Sequence, residues 1–279
     1  MGPSINYKDC VLSAVRSNIA YMAPADVNKL WADSGDDKSK AIYYVFDDVI
    51  DAPKYYSNAV SAVNAYSWVQ GNVLHIVFRG TEGLDDVKID LMQVQMQLFP
   101  GNKKVLVHKG FLKQFQSIFG ELLETINGIE DSVNTVHFSG HSLGAALATL
   151  AAGVFSPIIR SKNGIIKCHT IGCPRIGNAG FVDWFGGLVD ESIRFLNYKD
   201  PVPLLPVNGF YKHINGGYLI DAKCDVTTLN HDKPWWTRLL MLPFDIYWRA
   251  PIANHACQLY IERLVKLADW DVNATLQMV

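Results

Sequence analysis

Thr135-Val136-His137-Phe138-Ser139-Gly140-His141-Ser142-Leu143-Gly144-Ala145-Ala146 is the stretch that decides the architecture. A short, mostly apolar run leads into Gly-His-Ser-Leu-Gly, and a segment rich in small residues (Ala145, Ala146, Ala148, Ala151, Ala152) leads out. The first part has the pattern of a strand covered on both faces. The second predicts a helix over Ser142–Phe155. Gly140 and Gly144 suit a turn so tight that a Cβ would meet neighbouring elements, and such a strand–turn–helix holds the serine hydroxyl above the sheet. The helix N-terminus adds a field that favours negative charge developing there. The plainer reading is a glycine-rich turn with Ser142 as a helix cap, and the flanking pattern argues against it.

Outward from that turn, strand-like runs occur at Ala62–Val69, Val73–Arg79, Met92–Leu98, Val105–His108, Lys167–Ile171, Ser192–Tyr198 and Tyr218–Asp221. Helical spacing of apolar residues predicts helices at Tyr7–Tyr21, Phe111–Ile126, Asn178–Phe185 and His255–Trp270. Met92–Leu98 alternates apolar and polar strictly, which predicts a half-exposed edge strand or hairpin. Strands alternating with helices make an α/β chain: a central, mostly parallel sheet flanked by helices. No repeat or Pro/Ser-rich linker divides the sequence. We therefore expect one domain over 1–279, with a helical and extended N-terminal region over 1–60 packed on it.

A serine hydroxyl needs an imidazole to take its proton and a carboxylate to orient that imidazole. In this architecture the chain order is Ser, acid, His. Asp200 is the best-placed acid, directly after the strand Ser192–Tyr198 and stiffened by Pro201 and Pro203; Asp183, Asp190 and Glu191 read as solvated charge. Three histidines follow Asp200. His255 opens the last amphipathic segment, with Asn254 as its expected cap, and position favours it over His213 and over His231, which lies in a polar turn.

Composition narrows the function classes. Charge balances closely, 25 Lys+Arg against 27 Asp+Glu for a net −2, and no run of five basic residues occurs. Nucleic acid is therefore not the expected partner. With 49% apolar residues the chain can bury a sizeable core, and no window of 18 or more apolar residues predicts a membrane span. Five scattered cysteines, Cys10, Cys168, Cys173, Cys224 and Cys257, form no metal-binding pattern, so neither metal nor cofactor is expected. No apolar signal segment follows Met1, which makes a cytoplasmic setting the expectation, with a mature secreted form as the alternative.

Five blocks in order carry a resemblance to the class 3 (fungal-type) lipases of the α/β-hydrolase fold. They are Ile76–Thr81 (IVFRGT), Val107–Phe111 (VHKGF), Ser139–Ala148 (SGHSLGAALA), Gly172–Asn178 (GCPRIGN) and Asn197–Pro206 (NYKDPVPLLP). The resemblance runs from about Val73 to Tyr260. It implies an ester hydrolase acting on acylglycerol-type lipid esters through Ser142, Asp200 and His255. It makes His213 a structural residue, and it supplies an oxyanion hole from the amides of Thr81 and Leu143. Arg79 and His108 fall on framework positions. A lid-like segment is implied over 82–99, with Leu84 and Val87 toward the substrate cleft. Val87 stands where many members have Trp, and Glu82, Asp85, Asp86 and Lys88 make this lid polar, which suits shorter or more soluble esters. Phospholipids and feruloyl-type esters are alternative substrates within the family. A lipase-like interaction module without turnover is the alternative of another class.

Trp235–Trp248 packs five aromatics into fourteen residues and has no counterpart in those blocks. Core, a wall of the acyl-binding cleft containing Trp235 and Trp236, and a transient lipid-interface patch are the competing readings.

Overall fold

The computed structural model describes residues 5–81, 94–206, 209–229 and 251–273. An eight-stranded sheet organises them, in the order β1-β2-β3-β6-β7-β8-β9-β10. Its strands are β1 (Lys54–Asn58), β2 (Val63–Gln70), β3 (Val73–Phe78), β6 (Thr135–His141), β7 (Ile165–Ile171), β8 (Glu191–Asn197), β9 (Gly217–Ile220) and β10 (Val226–Leu229). From β3 to β9 every neighbouring pair is parallel, while β1, β2 and β10 close the two edges antiparallel. β4 (Gln95–Gln97) and β5 (Leu106–His108) form a separate antiparallel pair. The predicted hairpin is present, and the three β4 residues are all half-buried rather than alternating.

Strand periodicity sorts side chains onto two cores. On β3, Leu74, Ile76 and Phe78 join a cluster with α4 (Lys109–Asn127), α5 (Leu143–Ser161) and α6 (Ala179–Gly186). Val77 on the same strand joins the opposite cluster, under α1 (Tyr7–Ile19), α3 (Ala41–Phe46) and α7 (Cys257–Ala268). A further helix, α2 (Pro24–Ala32), begins with Pro at its first position, where the missing N–H costs nothing. Helix α5 is long and apolar enough to cross a membrane, and an 18-residue window of it is 72% buried in the fold. Its small residues explain the burial: Ala145, Ala148 and Ala152 are fully covered, letting helix and sheet approach closely.

The last helix differs from expectation. His255 ends a short 3₁₀ turn, Pro251–His255, and α7 starts at Cys257 with no side-chain cap. Asn254 does not cap it; its carbonyl accepts a hydrogen bond from Asn197 Nδ2 at 3.1 Å. The turn thus holds the end of β8 beside the residue that precedes His255.

Candidate active site

Ser142 sits between β6 and α5 with φ 58° and ψ −126°, a conformation that a non-glycine residue adopts only when its surroundings impose it. Its amide donates to the Ile171 carbonyl at 3.1 Å, anchoring the turn to β7. The flanking glycines are steric necessities. A Cβ on Gly140 would strike the Gly144 carbonyl group, and one on Gly144 would strike the Phe78 carbonyl oxygen. Ser142 is 1% exposed, and its Oγ has no hydrogen-bond partner within the protein.

Asp200 and His255 meet at the carboxyl edge of the same sheet, as α/β sites do. His255 Nδ1 lies 2.9 Å from Asp200 Oδ2, with both side chains at most 5% exposed. The other carboxylate oxygen accepts the Val202 amide at 2.9 Å. This fixes the imidazole: with Nδ1–H given to the carboxylate, Nε2 carries the lone pair. His255 Nε2, like Ser142 Oγ, is buried without a protein partner. Gly172 directly follows Ile171, whose carbonyl accepts the Ser142 amide. A Cβ on Gly172 would stand 2.9 Å from His255 Cε1 and 3.3 Å from Asp200 Oδ2, and its φ is +61°.

Of the expected oxyanion donors, Leu143 directly follows Ser142, and Thr81 follows Gly80, which approaches Ser142. Leu143 is the first residue of α5, so its N–H has no intrahelical acceptor. Gly80, next to Thr81, approaches so closely that a Cβ there would lie 3.1 Å from Ser142 Cβ. Leu84 and Val87, with the rest of 82–93, and Trp235 and Trp236 lie outside the described residues, as does His231. A cavity of about 580 Å³ lies elsewhere, lined among others by Lys54, Trp68, Leu74, Thr125 and Val133, toward the strand ends opposite Ser142. Among the described residues no cluster of His, Cys, Asp or Glu could hold a metal ion.

The framework residues have definite tasks. His108 is fully buried and accepts from the Phe111 amide at the start of α4. His213 Nε2 donates to the Pro203 carbonyl at 2.6 Å, bracing the turn after Asp200. Arg175 does the same from the other side through the Leu204 and Pro206 carbonyls. Two of the acids read as solvated, exposed Asp190 and part-exposed Glu191, also carry hydrogen-bond partners. Asp190 accepts the Ile166 amide and Arg160, and Glu191 accepts His169 Nε2 at 2.6 Å; Asp183 is exposed. Adjacent strands β7 and β8 bring those groups together, a proximity that chain position does not reveal.

Sequence reasoning missed four contributors. Tyr260 donates to Asp200 Oδ2 at 2.6 Å while its oxygen accepts the Asn197 amide at 2.8 Å. Burial and the Asp200 carboxylate push its phenol well above the ordinary range, so it remains a donor. Gly172 was detectable as a glycine directly after a predicted strand at the active edge. His141 and Tyr21 carried no signal, since the variable position of the serine turn tolerates many residue types.

A family model described as Lipase (class 3) matches residues 75–210. The chain is 31% identical over 119 residues to a secreted mono- and diacylglycerol lipase 1 of Fusarium solani, covering 42% of this chain and 34% of that protein. It is 30% identical over 154 residues to a lipase of Rhizomucor miehei, covering 53% and 41%. It is 30% identical over 156 residues to a phospholipase A1-II 1 of Oryza sativa subsp. indica, covering 48% and 40%. The chain thus spans well under half the length of these relatives. Among solved structures, a fungal lipase–inhibitor complex superposes with a TM-score of 0.68 at 22% identity, covering 90% of this chain and 96% of that one. The Rhizomucor miehei triacylglyceride lipase superposes with a TM-score of 0.66 at 24% identity, covering 85% and 89%. That likeness establishes the α/β-hydrolase fold. The Fusarium relative is described as secreted, which lends no support to the cytoplasmic expectation.

Proposed function

We propose, for a chain that belongs to the class 3 lipase family across residues 75–210, a serine hydrolase of carboxylic esters whose substrates are acylglycerol-type lipid esters. The observation that carries this reading is the pair of buried, unpartnered atoms Ser142 Oγ and His255 Nε2, with the second fixed as a base through Asp200. Ser142 Oγ attacks the ester carbonyl and passes its proton to His255 Nε2. The tetrahedral oxyanion takes hydrogen bonds from the Thr81 and Leu143 amides. His255 returns the proton to the departing alcohol, then activates water to release the acyl group from Ser142. Asp200 stays ionised and stabilises the imidazolium in both halves.

The near-neutral chain suits uncharged esters and offers no attraction to an anionic surface. Acylglycerols are therefore favoured over anionic phospholipids, although relatives from Oryza sativa and Arabidopsis thaliana are named phospholipase A1. The catalytic unit is proposed to be the whole chain, because β3, β6, β7 and β8, which frame the site, belong to one sheet. A secreted setting is part of the proposal and draws on the relatives so described. Initial rates on p-nitrophenyl esters of two to sixteen carbons, emulsified diacylglycerol and anionic phosphatidylglycerol test the substrate class. The reading expects acylglycerol turnover above phospholipid turnover. The reverse order reassigns the substrate to phospholipids, and no turnover on any ester leaves the interaction-module alternative.

A further inference from the structure

We propose that His141 and Tyr21 are a positioning pair for the base His255, an inference that rests on the serine-hydrolase reading above. His141 occupies the variable position of the Gly-His-Ser-Leu-Gly turn and is 5% exposed. Its Nε2 lies 2.7 Å from the backbone carbonyl oxygen of His255. A carbonyl can only accept, so Nε2 carries the hydrogen. In a neutral ring Nδ1 is then the acceptor, and the Tyr21 hydroxyl meets it at 2.8 Å as donor. Donor and acceptor roles are therefore fixed along the whole chain: Tyr21 O–H to His141 Nδ1, His141 Nε2–H to the His255 carbonyl. The two imidazoles also lie against each other, with centroids 4.5 Å apart and planes tilted 32°.

Those contacts hold His255 by its backbone carbonyl and its ring, whereas Asp200 holds it by Nδ1. Asp200 sets the rotation of the ring through Nδ1; His141 sets the height of the backbone that carries it and packs against the ring. The base must reach Ser142 Oγ and then the leaving oxygen with little displacement, and misplacement of an ångström is costly in rate. Burial and the neighbouring His255 also hold the His141 imidazole well below the usual histidine range. A neutral partner is what the reaction needs, since a second cation beside the His255 imidazolium would oppose its formation. Tyr21 sustains that state by occupying Nδ1, the nitrogen that would otherwise take the proton.

Tyr21 reaches further. It follows α1, and its hydroxyl fills the space that a Cβ on Gly80 would need. Gly80 precedes Thr81, a proposed oxyanion donor. The phenol thus packs beside the oxyanion loop while it donates to His141, just past the end of the N-terminal helix.

The test uses the full chain with Tyr21→Phe, His141→Leu, His141→Gln and the Tyr21→Phe/His141→Leu double variant, assayed on p-nitrophenyl butyrate. Tyr21→Phe is expected to lower kcat about tenfold with KM little changed, the effect of losing one buried hydrogen bond that acts on the transition state. His141→Leu removes both bonds and is expected to cost about a hundredfold. His141→Gln offers an amide N–H to the His255 carbonyl and an amide oxygen to Tyr21, and should recover most of that loss. Because Tyr21 acts through His141, the double variant should be no slower than His141→Leu alone. Parental kcat in Tyr21→Phe, or additive losses in the double variant, would overturn the pairing. If His141→Leu does not fold, Tyr21→Phe and His141→Gln decide the matter. Fluorophosphonate labelling separates the two levels: an unlabelled Ser142 in the parent chain sinks the hydrolase reading, whereas slower labelling confined to the variants supports the pair.

Discussion

Tyr260 places its hydroxyl 2.6 Å from Oδ2 of Asp200, the same carboxylate oxygen that His255 Nδ1 approaches at 2.9 Å. Helix α7 therefore supports the acid from one end while the turn before it presents the base. Tyr260→Phe leaves the Asn197 amide without its acceptor and Asp200 without one donor. The expected result is a stability loss of about 1–3 kcal/mol and a reduced kcat. Urea denaturation and steady-state kinetics check this; a variant matching the parent in both would show that the contact is dispensable.

Gly172→Ala is expected to inactivate more than it unfolds. The methyl group would meet His255 Cε1 at 2.9 Å, and a φ of +61° adds about 1 kcal/mol of backbone strain. His255 can withdraw from the methyl by moving off its position, which abolishes proton transfer while leaving the sheet intact. A folded variant with parental kcat would contradict this account. Gly144→Ala makes the contrast. Its methyl strikes the Phe78 carbonyl of β3, which cannot withdraw, so loss of soluble protein is the expected outcome.

Stability should fall on acidification below about pH 6.5. His75, His137 and His141 are buried, and burial, followed by nearby charges, holds each well below the ordinary histidine value of about 6.5. A group with a depressed folded pKa stays neutral in the fold while the unfolded chain takes up its proton. The unfolded state then binds more protons, so stability is full above the unfolded value and declines as pH falls from there toward the folded one. Glu191 adds in the same direction at lower pH. The hydrogen bond from His169 holds its carboxyl down to about 2, so its contribution is lost between the ordinary glutamate value of 4.5 and about 2. Urea midpoints at pH 7.5, 6.0 and 5.0 should decrease in order. His75→Phe, which removes one of these imidazoles together with its unpartnered Nδ1, should flatten the slope; an unchanged slope would exclude His75 as a contributor.

Much of this was legible in residues. The strand predicted at Val73–Arg79 is β3, Val73–Phe78, and the glycine pattern around Ser142 located the sharp turn because a Cβ cannot be accommodated there. What escaped was short or lacked periodicity. β1 and β10 are short sheet edges: Tyr56 alone is buried on β1, and Thr227 and Thr228 of β10 are exposed, so neither has a run of buried residues to read. Helix α3 reads AIYYVF, six apolar residues with strand-like composition, held as a helix by packing and by the Ala41 amide on the Asn273 carbonyl. The contacts of Tyr260, Tyr21 and His141 are products of tertiary structure alone. They join residues 60, 120 and 114 positions apart, and no local pattern encodes such pairs.

Trp235 and Trp236, read from sequence as a wall of the acyl cleft, yield a chain-length prediction. Truncating both to Ala should weaken turnover of dodecanoyl and longer esters more than that of acetyl and butyryl esters. Equal losses across the series would remove them from the cleft.

The central claim is that Ser142 Oγ is a nucleophile activated by His255. Mass spectrometry after treatment with a fluorophosphonate tests it most directly, alongside p-nitrophenyl butyrate hydrolysis by Ser142→Ala. The account predicts one phosphonyl adduct per chain, on the peptide containing Ser142, and a fall in kcat of at least about 10⁴-fold in a variant that remains folded. An adduct on another residue, or ester hydrolysis retained in Ser142→Ala, would contradict it.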